Sequence, residues 1–140
     1  MKPPVFIDTG YILALINTAD EHHGDAAAAS RQIKPPFLTT EGVLTEIGNA
    51  LSRFRWRALG YATIQDLRAD PAIEVVPVDS LLFDRALALY GERMDKEWGL
   101  TDCISFVVMR ERGLTQVLTT DRHFGQAGFT NLLSIAPASS

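Results

Sequence analysis

The stretch Val5-Phe6-Ile7-Asp8-Thr9-Gly10-Tyr11-Ile12-Leu13-Ala14-Leu15-Ile16 decides the fold class. Val5, Phe6 and Ile7 form an unbroken apolar run, which suits a short strand covered on both faces. The run stops at Asp8-Thr9-Gly10, and Tyr11, Ile12, Leu15 and Ile16 then recur at helical spacing. A doubly covered strand running straight into a helix begins a parallel α/β unit.

The rest of the chain alternates in the same way. Asp20 is the expected N-cap of a helix through the alanines at 26 to 29, and Pro35-Pro36 breaks it ahead of a short strand at Phe37-Leu38. Apolar positions 43, 44, 47, 50, 51 and 54 predict a helix, Gly60 punctuates, and a further helix ends near Asp70-Pro71. Ile73 to Val78 is rich in β-branched residues and reads as a strand, after which Asp79 caps a helix with the stripe Leu82, Ala86, Leu89 and Tyr90. Beyond Thr101, the expected cap, Ile104, Phe106, Val107, Val108 and Met109 point all round a helical wheel, so this helix should be almost enclosed. Gln116 to Thr119 is a strand ending at Thr120-Asp121, and Leu132 to Ile135 is the last expected strand. The predicted architecture is one domain over residues 1–140, a three-layer α/β/α fold with a mostly parallel central sheet.

Composition narrows the function classes. A chain of 140 residues, 46% of them hydrophobic, can bury a core without staples. The single cysteine, Cys103, excludes a disulfide framework and a Cys-rich zinc site and points to a reducing compartment. No apolar run approaches the roughly 20 residues of a membrane span. Lys2-Pro3-Pro4 leads into a short apolar stretch with no cleavage site, so no secretory signal is read and the expected location is the cytoplasm. A net charge of -4 argues against a protein that holds nucleic acid by bulk charge alone.

In open parallel sheets, ligands bind beyond the carboxyl ends of the strands. Asp8 and Asp121 fall at two such ends. Asp102 begins the enclosed helix, and Glu46 lies on the helix from Val43 at the edge of its apolar stripe. Each has a bland alternative. Asp8 and Asp102 suit a helix N-terminus, Asp121 a turn, and Glu46 a solvated helix face. Taken singly, none of the four is persuasive.

Together they form a pattern. Val5-Phe6-Ile7-Asp8-Thr9, Leu44-Thr45-Glu46-Ile47, Leu100-Thr101-Asp102-Cys103 and Leu118-Thr119-Thr120-Asp121-Arg122-His123-Phe124 resemble the four acidic motifs of the PIN-domain ribonucleases. Within that family the chain is most similar to the VapC-type toxins of bacterial toxin–antitoxin pairs. The resemblance implies that Asp8, Glu46, Asp102 and Asp121 make an acidic catalytic pocket that binds metal. Thr9 would be the small hydroxyl residue after the first aspartate, and Thr120 a polar neighbour that steadies the pocket. It implies an RNA substrate, a cognate antitoxin whose tail covers the pocket, and a homodimer.

Four converging carboxylates need either protons or a cation. Hard oxygen donors, with no cysteine or histidine pairing at ligand spacing, indicate Mg²⁺ or Mn²⁺ over zinc. Such an ion acidifies water and offsets charge growing on a phosphate, so the expected reaction is metal-dependent hydrolysis of RNA. Without these four acids, acids and bases balance at 13 each. Arg122 and His123 are candidates for phosphate contact. Arg53, Arg55 and Arg57, interleaved with Phe54 and Trp56 on what reads as the Glu46 helix, are a second group. The bland reading there places Phe54 in the core and the arginines on a solvated face. His22 and His23 read as surface residues, Cys103 as buried and inert, and Trp98 as packing or a self-association surface.

Rival readings are weaker. Asp8-Thr9-Gly10 matches an aspartic-protease triplet, but a helix pattern follows at once and no second copy exists. A phosphoryl-transfer aspartate would carry a second Asp two residues on, where Gly10 stands. The non-enzymatic alternative is an RNA- or partner-binding module with residual acids, and it predicts no divalent-ion binding.

Overall fold

The structure, a computed structural model, describes residues 2–133. Five strands form one sheet: β1 (Val5–Ile7), β2 (Phe37–Thr40), β3 (Ile73–Val76), β4 (Gln116–Leu118) and β5 (Thr130–Asn131). Every pairing is parallel, and the order across the sheet is β3-β2-β1-β4-β5. Parallel neighbours need crossovers, and seven helices supply the connections and the covering layers. These are α1 (Thr9–Ile16), α2 (His23–Gln32), α3 (Glu41–Ala50), α4 (Arg57–Ala69), α5 (Ser80–Glu92), α6 (Leu100–Glu111) and α7 (His123–Gln126). The predicted α/β/α architecture is what the chain adopts.

All three residues of β1 are buried, as a central strand between two helical layers requires. Its register positions the acidic residues. Ile7 pairs with Leu118 and the Asp8 amide donates to the Leu118 carbonyl, so Asp8 and Thr119 leave the sheet side by side. On the other flank the Thr39 hydroxyl donates to the Ile7 carbonyl, and the Thr40 hydroxyl caps α3 by accepting from the Val43 amide. Asp79 caps α5, accepting from the Leu82 amide at 2.9 Å.

An aromatic column locks α6 and α7 to the sheet. Phe106 meets Trp98 and Phe124 edge-on, each with ring centroids 4.9 Å apart, and Phe124 leans on Phe6 of β1. Edge-to-face contacts of this kind add to the burial of rings already excluded from water. Phe106 lies one helical turn after Asp102, and Phe124 follows His123 directly, so this column sets the distance between two parts of the acidic cluster.

Several local expectations need correction. The helix bearing Glu46 stops at Ala50, so Arg53 and Arg55 lie in the turn before α4 and Arg57 opens α4. Phe54 is 99% exposed, and the core role considered for it fails. Gly60 does not punctuate: it sits buried inside α4, where a Cβ would press on Leu51. Gly99, not Thr101, is the N-cap of α6. α2 starts at His23, and Asp20 instead accepts from the His22 amide in the preceding turn. His22 and His23 are half-buried rather than on the open surface, and the His23 ring bonds to the Ala14 carbonyl. Tyr90, placed on the apolar stripe of α5, is exposed. Trp98 takes the first of its two expected roles, buried packing, with its indole N–H donating to Gln126. The final strand is Thr130–Asn131; of the expected Leu132–Ile135 segment, Leu132 and Leu133 are not strand, and Ser134 and Ile135 lie outside the described residues.

Truncating the centre of the aromatic column should be costly. Phe106→Ala is expected to destabilise the fold by about 3–5 kcal/mol, read as a lowered denaturation midpoint with unchanged slope in urea.

Candidate active site

The strand order reverses between β1 and β4, and the acids gather beyond the carboxyl ends of those two strands. Asp8 is only 5% exposed. It stands at the N-cap position of α1 in extended conformation, yet its carboxylate makes no cap bond to that helix. Oδ2 instead accepts the Thr119 hydroxyl at 2.7 Å. The bland explanation of Asp8 as a helix cap therefore lacks its bond.

Thr119 joins two of the acids. Its hydroxyl donates to Asp8 and accepts from the Asp121 amide at 2.9 Å, so one small side chain sets both positions. Asn131 holds Thr119 in turn: its amide oxygen accepts from the Thr119 N–H at 3.2 Å, and its amide nitrogen donates to the Thr119 carbonyl at 3.0 Å. The family resemblance assigns the steadying role to Thr120. The structure places Thr120 against Gly10, where any Cβ would collide with its hydroxyl, and Thr119 makes the bonds. Thr119 lies within the same motif and is open to discovery there. Asn131 carries no signal in the sequence, because its role depends on β5 lying beside β4.

Glu46 is half-buried on α3, and its Oε1 accepts the Thr9 hydroxyl at 2.6 Å. Asp102 occupies the third position of α6, where its Oδ2 accepts the Gly99 amide at 3.0 Å. That bond is the bland helix-terminus role, and it coexists with a second contact to His123. Asp121 Oδ1 accepts the His123 amide at 2.9 Å, as a turn residue does. The His123 ring fills the space between the last two acids, with Nδ1 3.1 Å from Asp102 Oδ2 and 3.2 Å from Asp121 Oδ1. The sequence alone offers His123 to RNA and shows no histidine at ligand spacing; folding puts it inside the acidic cluster.

The electrostatics follow from crowding. Burial above all pushes the Asp8 carboxyl up to about 7; the Thr119 hydroxyl and the Thr9 backbone amide oppose this, and the charges of Asp102 and Glu46 add to it. Asp102 is raised as well, first by burial and then by the Asp121 carboxylate, with the Gly99 amide and His123 pulling the other way. Burial lifts the Cys103 thiol to about 11, which leaves it protonated and unreactive. Among the described residues, no lysine or arginine forms an ion pair with Asp8, Glu46, Asp102 or Asp121; the one basic side chain within reach is the imidazole of His123. One ligand atom each from Asp102, Asp121 and His123 lie within 4.8 Å of one another. A cluster of oxygen donors short of positive partners fits a divalent ion.

Asp8 also shapes stability. Its folded pKa of about 7 lies above the ordinary 3.8, so the folded state holds a proton that the unfolded chain has already lost in that window. Metal-free protein should thus lose stability as pH rises from about 4 to about 7, with the full cost present above that range. Asp8→Asn, which still offers Thr119 an acceptor, is expected to raise Tm in EDTA at about pH 8 and to do so less at about pH 5. Thermal melts at the two pH values check this.

Comparison with known proteins gives a consistent result. The chain is 28% identical over 128 residues to the 23S rRNA-specific endonuclease VapC20 of Mycobacterium tuberculosis, covering 91% of this chain and 97% of that protein. The crystal structure of M. tuberculosis VapC20, described as a toxin that cleaves the sarcin–ricin loop, superposes with a TM-score of 0.86 at 27% identity, over 92% of this chain and 98% of the other. FitAcB from Neisseria gonorrhoeae has a TM-score of 0.64 at 13% identity, over 91% of this chain and 94% of that one. That similarity speaks to the fold alone. Residues 5–130 match the PIN domain family, a span that takes in all four acidic motifs, and the chain belongs to that family.

Proposed function

We propose that this protein is a divalent-metal-dependent endoribonuclease that hydrolyses RNA phosphodiester bonds and serves as the toxin of a toxin–antitoxin pair. One observation carries the reading: Asp8, buried at the end of the central strand, is tied through Thr119 to Asp121 in a cluster that has no lysine or arginine partner among the described residues. Such an arrangement is costly to a folded chain unless a cation completes it. The relative named for cleaving 23S rRNA matches almost end to end, and this makes ribosomal RNA the substrate class to try first.

In this reading Asp8 and Asp121 hold Mg²⁺ or Mn²⁺ directly, Asp102 holds it or orients the attacking water, and Glu46 does either. A bound divalent ion supplies acidification of water and charge compensation at the phosphate. The chain's own contribution is positioning. Thr119 fixes the Asp8 oxygens, Thr9 aims Glu46, and the Gly99 amide holds Asp102 at the start of α6. Arg122 is exposed beside the cluster and makes no ion pair among the described residues, which suits contact with RNA phosphate. Arg53 and Arg57 are a second basic group. Exposed Phe54 and Trp56 lie between them in the chain, and Arg55 stacks on Trp56 with 4.9 Å to the ring centroid. The same reading places the protein in the cytoplasm with its RNA, pairs it with an antitoxin that covers the acids, and makes it a homodimer. Leu81, Leu87, Tyr90 and Met94, exposed on or just beyond α5, offer apolar surface for such contacts.

Two measurements test the reading. Purified protein incubated with 23S rRNA should cut it with Mg²⁺ or Mn²⁺ and not with EDTA. Asp8→Asn should lower the rate by at least ~100-fold while the circular dichroism spectrum stays unchanged. Full activity of that variant with metal present overturns the proposal, and a lack of divalent-ion binding favours a non-catalytic RNA- or partner-binding module. Arg122→Ala is expected to weaken RNA binding and flatten its salt dependence while metal affinity stays the same. Filter binding at several salt concentrations reads this directly.

A further inference from the structure

We propose that Nδ1 of His123 is itself a ligand of the divalent ion, which makes the site a mixed oxygen and nitrogen set that prefers Mn²⁺ to Mg²⁺. This ligand role rests on the metal-dependent reading above and extends it to a residue that the sequence alone offers to RNA.

Geometry supports the assignment. Nδ1 stands 3.1 Å from Asp102 Oδ2 and 3.2 Å from Asp121 Oδ1. An octahedral ion with ligands at roughly 2.1 Å has neighbouring ligand atoms ~3.0 Å apart. The two spacings therefore also suit two edges of a coordination shell that meet at Nδ1. Both oxygens are already held by backbone donors, Asp102 Oδ2 by the Gly99 amide and Asp121 Oδ1 by the amide of His123 itself. The ring is steadied as well, since Phe124, the next residue, is fully buried against Phe106. Side-chain exposures of 21% for His123 and 13% for Asp102 leave room for an ion to enter from solvent.

The chemistry decides the preference. Mg²⁺ takes oxygen and keeps its water, whereas later divalent ions accept imidazole increasingly well. Three oxygens alone would discriminate weakly between Mg²⁺ and Mn²⁺; one imidazole among them shifts the balance toward Mn²⁺.

Pulsed electron paramagnetic resonance of full-length protein loaded with Mn²⁺ is the test, because it detects a directly bound imidazole nitrogen without any turnover. The expected result is a nitrogen coupling in the native protein that disappears in His123→Ala, although His22 and His23 remain. Calorimetric titrations should show Mn²⁺ bound about tenfold more tightly than Mg²⁺, a preference that falls toward parity in His123→Asn, where an amide oxygen replaces the nitrogen. Bound Mn²⁺ with no nitrogen coupling in the native spectrum overturns this inference and leaves the nuclease reading standing. A coupling that survives His123→Ala overturns it too, since another histidine would be responsible. No Mn²⁺ binding at all removes the metal-dependent reading and this inference together.

Discussion

The Thr119 hydroxyl is the contact on which the site depends. It donates to a carboxylate buried at the end of the central strand and accepts from the amide that begins the last acidic motif. Two aspartates more than a hundred residues apart in the chain are thereby set by a single oxygen. The parallel register makes this possible: with Ile7 opposite Leu118, the next residue on each strand emerges at the same edge. Asn131 then takes over the role of a neighbouring strand, satisfying both backbone groups of Thr119 where β5 has ended.

Around that contact the fold accepts an electrostatic cost. Burial raises the proton affinity of Asp8 to near neutral pH, and the crowding of Asp102 by Asp121 acts in the same direction. Elsewhere the charges are placed in the ordinary way. Arg112 grips Glu74 with two hydrogen bonds and Arg93 grips Asp95, both at the surface, where such pairs contribute little. The contrast sets this buried cluster apart from charges that merely solvate the molecule.

The aromatic column explains how a short helix can carry a site. α7 has four residues, too few to stand alone, and Phe124 anchors it to Phe106 and Phe6. His123 is carried along, and its imidazole arrives between Asp102 and Asp121. Core packing and the acidic cluster are thus mechanically one unit.

Much of this is legible in the linear order. Unbroken apolar runs at Val5–Ile7 and Val117–Leu118, each ending in an acid within three residues, announce buried parallel strands, and the placement of Asp8 and Asp121 follows from the rule for strand ends. The edge position of Glu46 on its stripe also comes from periodicity alone. Local patterns specify which face of an element is buried because that depends on spacing within one segment. Partners across elements are different. Thr119 over Thr120, the clamp by Asn131, the exposure of Phe54 and the arrival of His123 among the acids all depend on register between strands and on packing between helices. No property of a single segment encodes those distances; they exist only once β1, β4, β5 and α6 are side by side, and the tertiary structure alone decided them.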